Sequence, residues 1–162
     1  MPIFVIHKHK ARNLHYDFRL EKDNVLKSWA VPKEPPRSTN VKRLAVMVDD
    51  HALEYANFSG IIPKGNYWAG KVEIWDKGTY EEIEWGSKKI IVDLKGKKLN
   101  GIYCLIHFKP KEKNWLFLRR NNYLICFKNC FRGNVFTTSF SSAHPRRACA
   151  IPSSKNGKFV LL

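Results

Sequence analysis

A chain of 162 residues, 44% of them hydrophobic, is long enough to bury one core and too short for two generous ones. Lys and Arg number 29 against 14 Asp and Glu, a formal charge of +15, so nucleic acid leads as a partner and an acidic membrane surface follows, although a basic face also serves plain solubility. No apolar stretch approaches the roughly 18 to 20 residues of a spanning helix, and no basic start precedes an apolar run, which excludes a transmembrane segment and predicts a cytoplasmic protein.

Along the chain, short runs of β-branched and aromatic residues recur between turn signals with no sustained helical period, the pattern of an all-β barrel or sandwich. Strands are predicted over 3–8 and 15–22, then over 25–31 after Asp23-Asn24, a pair that tolerates positive φ and suits a tight hairpin. The loop Pro32 to Asn40 carries three prolines and leads to a strand at 43–49. His51 to Tyr55 is long enough for one helical turn, which sets His51 and Tyr55 on one side, four residues apart. Phe58 to Gly70, punctuated by Gly60, Pro63, Gly65 and Gly70, reads as a long functional loop. Strands follow at 71–76 and 79–84, with Asp76-Lys77-Gly78 read as a second hairpin turn, and then at 89–95, 101–109 and 114–120.

Residues 121–162 differ in texture: no Asp or Glu, six Lys or Arg, and three of the four cysteines. A domain over 1–120 with a basic tail over 121–162 is the expected organisation. Cys104, Cys126, Cys130 and Cys149 are too few and too late for a disulfide framework, so reduced thiols are expected. Cys126 and Cys130 with His144 and Cys149 match no standard zinc-finger spacing.

The densest cluster of chemistry is His7-Lys8-His9 followed by His15-Tyr16-Asp17-Phe18-Arg19-Leu20. On a strand, His15, Asp17 and Arg19 project to one side and Tyr16, Phe18 and Leu20 to the other. A bend over Lys10 to Asn13 returns the chain and brings His9 beside His15 and Asp17. Two imidazoles and a carboxylate suit a divalent transition metal such as Mn²⁺ or Zn²⁺, and Arg19 has the planar fork that grips phosphate. A single histidine on such a face is more often an ordinary polar residue; three residues at alternate positions shift the balance. His51, after Asp49-Asp50 at a strand end, is placed to donate to a phosphate oxygen or to a leaving group, with a packing role as the alternative. Arg43 and Lys33 are further candidate phosphate contacts by position alone. A P-loop, a dinucleotide glycine fingerprint and a Ser-His-Asp arrangement are absent, which leaves phosphate chemistry on a metal.

Phe4-Val5-Ile6-His7-Lys8-His9, Leu14 to Glu21, Leu26 to Lys33 and Lys42 to Val46, then Asp50-His51, Tyr55, Gly60, Ile62-Pro63, Trp75-Asp76 and Asn114-Trp115-Leu116, stand in an ordered run. Over residues 3 to 120 it resembles the 3′-phosphoesterase domain of bacterial and archaeal DNA ligase D. The resemblance implies a compact antiparallel β-barrel of about eight strands, with a groove on one side and at most short helical turns. It also implies an Mn²⁺-dependent enzyme, with Zn²⁺ or Co²⁺ as substitutes, that removes 3′-phosphate and 3′-ribonucleoside blocks and leaves a 3′-hydroxyl. Its metal ligands fall on His9, His15 and Asp17, its phosphate-binding and catalytic positions on Arg19 and His51, and accessory positions on Tyr55, Arg43 and Lys33. The implied partners are DNA or RNA–DNA primer-template 3′ ends, and a ligase and a polymerase acting in trans; a monomer is expected.

The sequence departs from that pattern at His7, commonly glutamine, at Asp49, commonly glutamate, at Lys64, usually an acid, and at Trp68, usually glycine. Family members often carry assisting residues ahead of the first strand, where this sequence has almost none, so weakened or lost diesterase activity is expected. No Lys-x-Asp-Gly nucleotidyl motif occurs, which points to a stand-alone healing domain or a fragment of one. Two rivals remain: a catalytically silent nucleic-acid-binding module of the same fold, and a metal-dependent phosphoesterase acting on a small phosphorylated molecule.

Overall fold

The computed structural model describes residues 1–63, 69–109 and 112–121. Lys64, Trp68, the tail beyond Asn121, and with it Cys126, Cys130, His144 and Cys149, lie outside the described residues.

Nine strands form in chain order: β1 Ile3–Lys10, β2 Leu14–Lys22, β3 Val25–Val31, β4 Lys42–His51, β5 Gly60–Ile62, β6 Gly70–Trp85, β7 Lys89–Gly96, β8 Asn100–Lys109 and β9 Asn114–Arg119. One 3₁₀ turn, η1 at Leu53–Asn57, is the only helical element among the described residues. The strand order β1-β2-β3-β4-β9-β8-β7-β6 closes by a β6–β1 pairing, and every neighbour is antiparallel. Closure into an eight-stranded barrel removes the free edges, with β5 added to the start of β6.

Period-two patterning builds the interior. Phe4 and Ile6 of β1, Tyr16, Phe18 and Leu20 of β2, Trp29 and Val31 of β3, and Trp115 and Phe117 of β9 turn inward into one buried cluster with residues of β4, β6, β7 and β8. Phe18 stacks on Phe117 with ring centroids 4.6 Å apart and planes 17° apart. Each such side chain contributes on the order of 2 kcal/mol by leaving water. The opposite face of β1 and β2 carries Val5, His7 and His9 against Arg19, Asp17 and His15 in register. The alternation that buries the core therefore presents the polar set together on the outer wall.

The Asp23-Asn24 turn is as expected: φ is 52° and 63° at the two residues, the left-handed pair a two-residue hairpin needs. The second expected hairpin is absent. Asp76-Lys77-Gly78 lies inside the continuous strand β6, which pairs with β1 along its first half and with β7 along its second. Asp and Gly serve other ends here. The buried Asp76 carboxylate accepts N–H groups of Lys97, Lys98 and Leu99 at 3.1, 3.1 and 2.8 Å, and a Cβ at Gly78 would sit 2.1 Å from the Lys95 carbonyl oxygen. The glycine permits close approach of two strands rather than a turn. The Phe58 to Gly70 loop is also more ordered than expected at its start, since β5 pairs with Gly70–Val72 of β6.

Candidate active site

The β1–β2 hairpin places His9 directly opposite His15 in register, with ring centroids 4.7 Å apart. Asp17, two residues further along β2, completes the set: its Oδ1 lies 3.7 Å from His15 Nε2 and its Oδ2 3.9 Å from His9 Nδ1. One donor atom from each of the three residues falls within 4.8 Å of the others. His15 Nδ1 is 3.0 Å from the Asn13 carbonyl, which can only accept, so Nδ1 carries a hydrogen and Nε2 is the ring atom turned to the triad. That buried nitrogen faces a carboxylate oxygen across a gap too wide for a hydrogen bond. An imidazole nitrogen and a carboxylate oxygen that converge without bonding to each other suit a cation, and a backbone carbonyl on the remote imidazole nitrogen is the usual way a metal-binding ring is oriented.

Arg19 stands beside this triad and is 3% exposed. Its guanidinium reaches Asp17 Oδ2 at 3.3 Å through Nη1, His7 Nδ1 at 3.3 Å and His51 Nε2 at 3.5 Å, and it lies over the Tyr55 ring at 5.0 Å. The elements holding it differ in origin: His7 comes from β1, His51 from the end of β4, and Tyr55 from η1. The expected proximity of His51 and Tyr55 is present, with ring centroids 5.2 Å apart, through a strand end leading into a 3₁₀ turn. η1 is held down by a small apolar cluster in which Val5, Leu26 and Ala56 are buried with Leu53 and Tyr55 against them.

The electrostatics favour neutral imidazoles beside a fixed cation. Burial, then the Arg19 charge, pushes His7 from 6.5 down to about 4; Asp17 and the Phe58 carbonyl oppose this, the carbonyl short of hydrogen-bonding geometry. His51 moves down for the same two reasons, burial first and Arg19 second. Burial raises the Tyr55 hydroxyl, which keeps its proton and remains a donor.

Most of these groups open onto a cleft of about 710 Å³ lined by His9, Asp17, Arg19, His51, Tyr55, Met47, Val48, Asp49, Asp50, Ile62 and Lys113, with His7 and His15 outside the lining. The groove expected on one side of the barrel is thus a real concavity, and it holds five of the residues singled out from sequence. Lys33 and Arg43 do not line it: Lys33 is exposed after β3, and Arg43 Nε donates to the Glu34 carbonyl at 2.8 Å. Two participants had no role in the sequence reading. Lys113, from the turn before β9, lies on the rim with Nζ 3.7 Å from Asp49 Oδ1. Ser28 is fully buried behind His51, and a polar residue alternating with Leu26 in a strand is the only signal that could have drawn notice.

The family model for the DNA ligase D 3′-phosphoesterase domain matches residues 7–107, a stretch containing the triad, Arg19, His51 and Tyr55. The multifunctional non-homologous end joining protein LigD of Mycobacterium bovis is 50% identical over 123 residues, 74% of this chain and 16% of that protein. Its counterparts in Mycolicibacterium smegmatis and Pseudomonas aeruginosa are 49% and 46% identical over 124 and 125 residues, 70% and 72% of this chain and 16% and 15% of theirs. The chain thus spans about one sixth of the length of these relatives. On this match and this geometry, the chain belongs to the DNA ligase D 3′-phosphoesterase domain family.

Proposed function

We propose that the chain is a metal-dependent 3′-end-healing phosphoesterase that removes 3′-phosphate and 3′-ribonucleoside blocks from primer strands and leaves a 3′-hydroxyl. His9, His15 and Asp17 are the residues to hold the metal. Mn²⁺ is the favoured ion, and Zn²⁺ or Co²⁺ meets the same donor set. A divalent ion held there supplies a Lewis acid for a phosphate oxygen. The observation that carries the reading is the convergence of one donor atom each from His9, His15 and Asp17 within 4.8 Å, with His15 Nε2 buried and not hydrogen-bonded to the carboxylate it faces, next to a buried arginine.

The chain's own groups then divide the work. Arg19 presents a buried planar cation to the phosphate and offsets charge that builds in the transition state. His51 enters neutral, with Nε2 toward Arg19, and is the group to move a proton to or from the reacting oxygens. Tyr55, stacked on Phe58 at 4.9 Å, offers its hydroxyl from the cleft wall. Lys33 and Arg43, outside the cleft, are left for contacts with strand phosphates away from the reacting end. The substrate is a DNA or RNA–DNA primer-template 3′ end, handed on to a ligase and a polymerase that act on the healed terminus during end joining. The working form is a monomer in the cytoplasm; among the described residues no helix is long and apolar enough to cross a membrane.

The test is a labelled primer-template ending in a 3′-phosphate or one 3′-ribonucleotide, incubated with and without Mn²⁺. Release of phosphate or nucleoside only with metal, weakening steeply as salt rises, is the expected result. Full turnover by purified His15→Ala would reject this site. Metal binding without turnover would point to a silent binding module, and salt-insensitive hydrolysis of mononucleotides to a small-molecule phosphoesterase.

A further inference from the structure

Ser28 is completely buried, lies opposite Arg19 in the β2–β3 register, and makes two hydrogen bonds that together leave no freedom in the neighbouring ring. Its hydroxyl donates to the Leu26 carbonyl at 2.9 Å, which consumes its one proton. Toward His51 Nδ1, 3.2 Å away, it therefore presents a lone pair, and the Asp49 carbonyl presents another at 2.9 Å. Two acceptors on one nitrogen require that nitrogen to carry the hydrogen. Nε2 is left as the lone pair, 3.5 Å from Arg19 Nη2.

The backbone supports the same arrangement. β3 and β4 pair Leu26 with His51 and then Ser28 with Val48, so three steps along β4 match two along β3. This bulge falls at Asp49-Asp50, immediately before His51, and bulges of this kind re-aim a side chain beside a site. The Asp49 carbonyl that meets Nδ1 belongs to the bulge itself.

We propose that Ser28 is a positioning residue of the cleft: the Asp49 carbonyl alone keeps the hydrogen on His51 Nδ1, and the Ser28 hydroxyl, as a second acceptor, holds the ring in the orientation that turns Nε2 to the Arg19 side. Its hydrogen bonds go to Leu26 and His51, so it acts on the site through His51. The inference rests on the reading of His51 as the proton-handling group in 3′-phosphate release. Its structural half, that Ser28 holds the orientation of the ring, does not depend on that reading.

The test uses the full chain, with ¹⁵N-histidine spectra recorded in chelator and 3′-phosphate release measured with Mn²⁺, for wild type, Ser28→Ala and Ser28→Thr. Wild-type His51 is expected to show a protonated Nδ1 and an unprotonated Nε2. In Ser28→Ala the His51 shifts change as the ring loses its second acceptor and turns, and kcat falls about tenfold while KM stays within about twofold, the pattern of a contact used in the transition state. Ser28→Thr, which keeps the hydroxyl, restores both readouts. Unchanged His51 shifts in a folded Ser28→Ala protein overturn the proposal, and so does a shifted spectrum with undiminished kcat. If wild type itself releases no phosphate, the functional reading fails, while the spectra still decide whether Ser28 positions the ring.

Discussion

Arg19 Nη1 stands 3.3 Å from Asp17 Oδ2, and both side chains are buried, so the carboxylate that faces two imidazoles is also the counter-charge of the arginine. The two roles separate by mutation. Asp17→Ala removes a metal ligand and leaves a buried guanidinium beside His7 and His51 without its partner, which costs about 3 kcal/mol in metal-free protein. His15→Ala removes a ligand whose side chain is 17% exposed and strands no charge, so stability changes by about 1 kcal/mol or less. Both variants are expected to lose phosphate release. Chemical denaturation in chelator distinguishes them, and equal stability of the two would show that Arg19 does not depend on Asp17.

Arg19→Lys tests the fork rather than the charge. The guanidinium reaches Asp17, His7 and His51 at once, and a point charge on a flexible stem cannot hold those directions together. Activity is expected to fall about a hundredfold, a loss typical of removing an oriented donor from a reacting phosphate or oxyanion. Steady-state kinetics on a 3′-phosphate primer reads it, and a loss below about threefold would mean that charge alone suffices.

His7 supplies a pH signature. Its folded pKa, near 4, lies below the ordinary 6.5, so between those values the unfolded chain binds the proton and the folded chain does not. The stabilisation is complete above pH 6.5 and is lost as pH falls toward 4, by about 3 kcal/mol in total. His7→Gln does not titrate, so in chelator its stability is expected to fall less between pH 7 and pH 4 than that of wild type. Parallel curves for the two proteins would refute the assignment.

Asp76 is predicted to matter for the fold and not for the cleft. Replacing it with Ala leaves the Lys97, Lys98 and Leu99 N–H groups without their acceptor, one of them fully buried, and should cost about 2 to 4 kcal/mol. Calorimetry should show a lower midpoint while phosphate release at 20 °C persists, since Asp76 is not among the cleft-lining residues. Loss of activity without loss of stability would contradict this role.

Much of this site was legible because a strand has a period of two. His15, Asp17 and Arg19 against Tyr16, Phe18 and Leu20 declares which side is wet and which is core, and the polar Lys10 to Asn13 bend returns β1 onto β2 so that His9 meets His15. Asp76-Lys77-Gly78 misled because the residues of a turn are also those of a strand that needs a close approach and an acceptor. Local composition cannot tell the two uses apart.

Sequence alone thus determined most of the strands, though not the continuity of β6 or the presence of β5, together with the sidedness of β1 and β2 and the residue types suited to a metal and a phosphate. Only the tertiary structure decided that η1 and the bulged end of β4 fold over that wall, bringing Tyr55 and His51 to Arg19 and Ser28 to His51. The physical reason is range. Side-chain alternation acts between neighbours a few residues apart, whereas the Arg19–His51 and Ser28–His51 contacts span 32 and 23 residues and exist only once barrel closure has fixed which strands lie side by side.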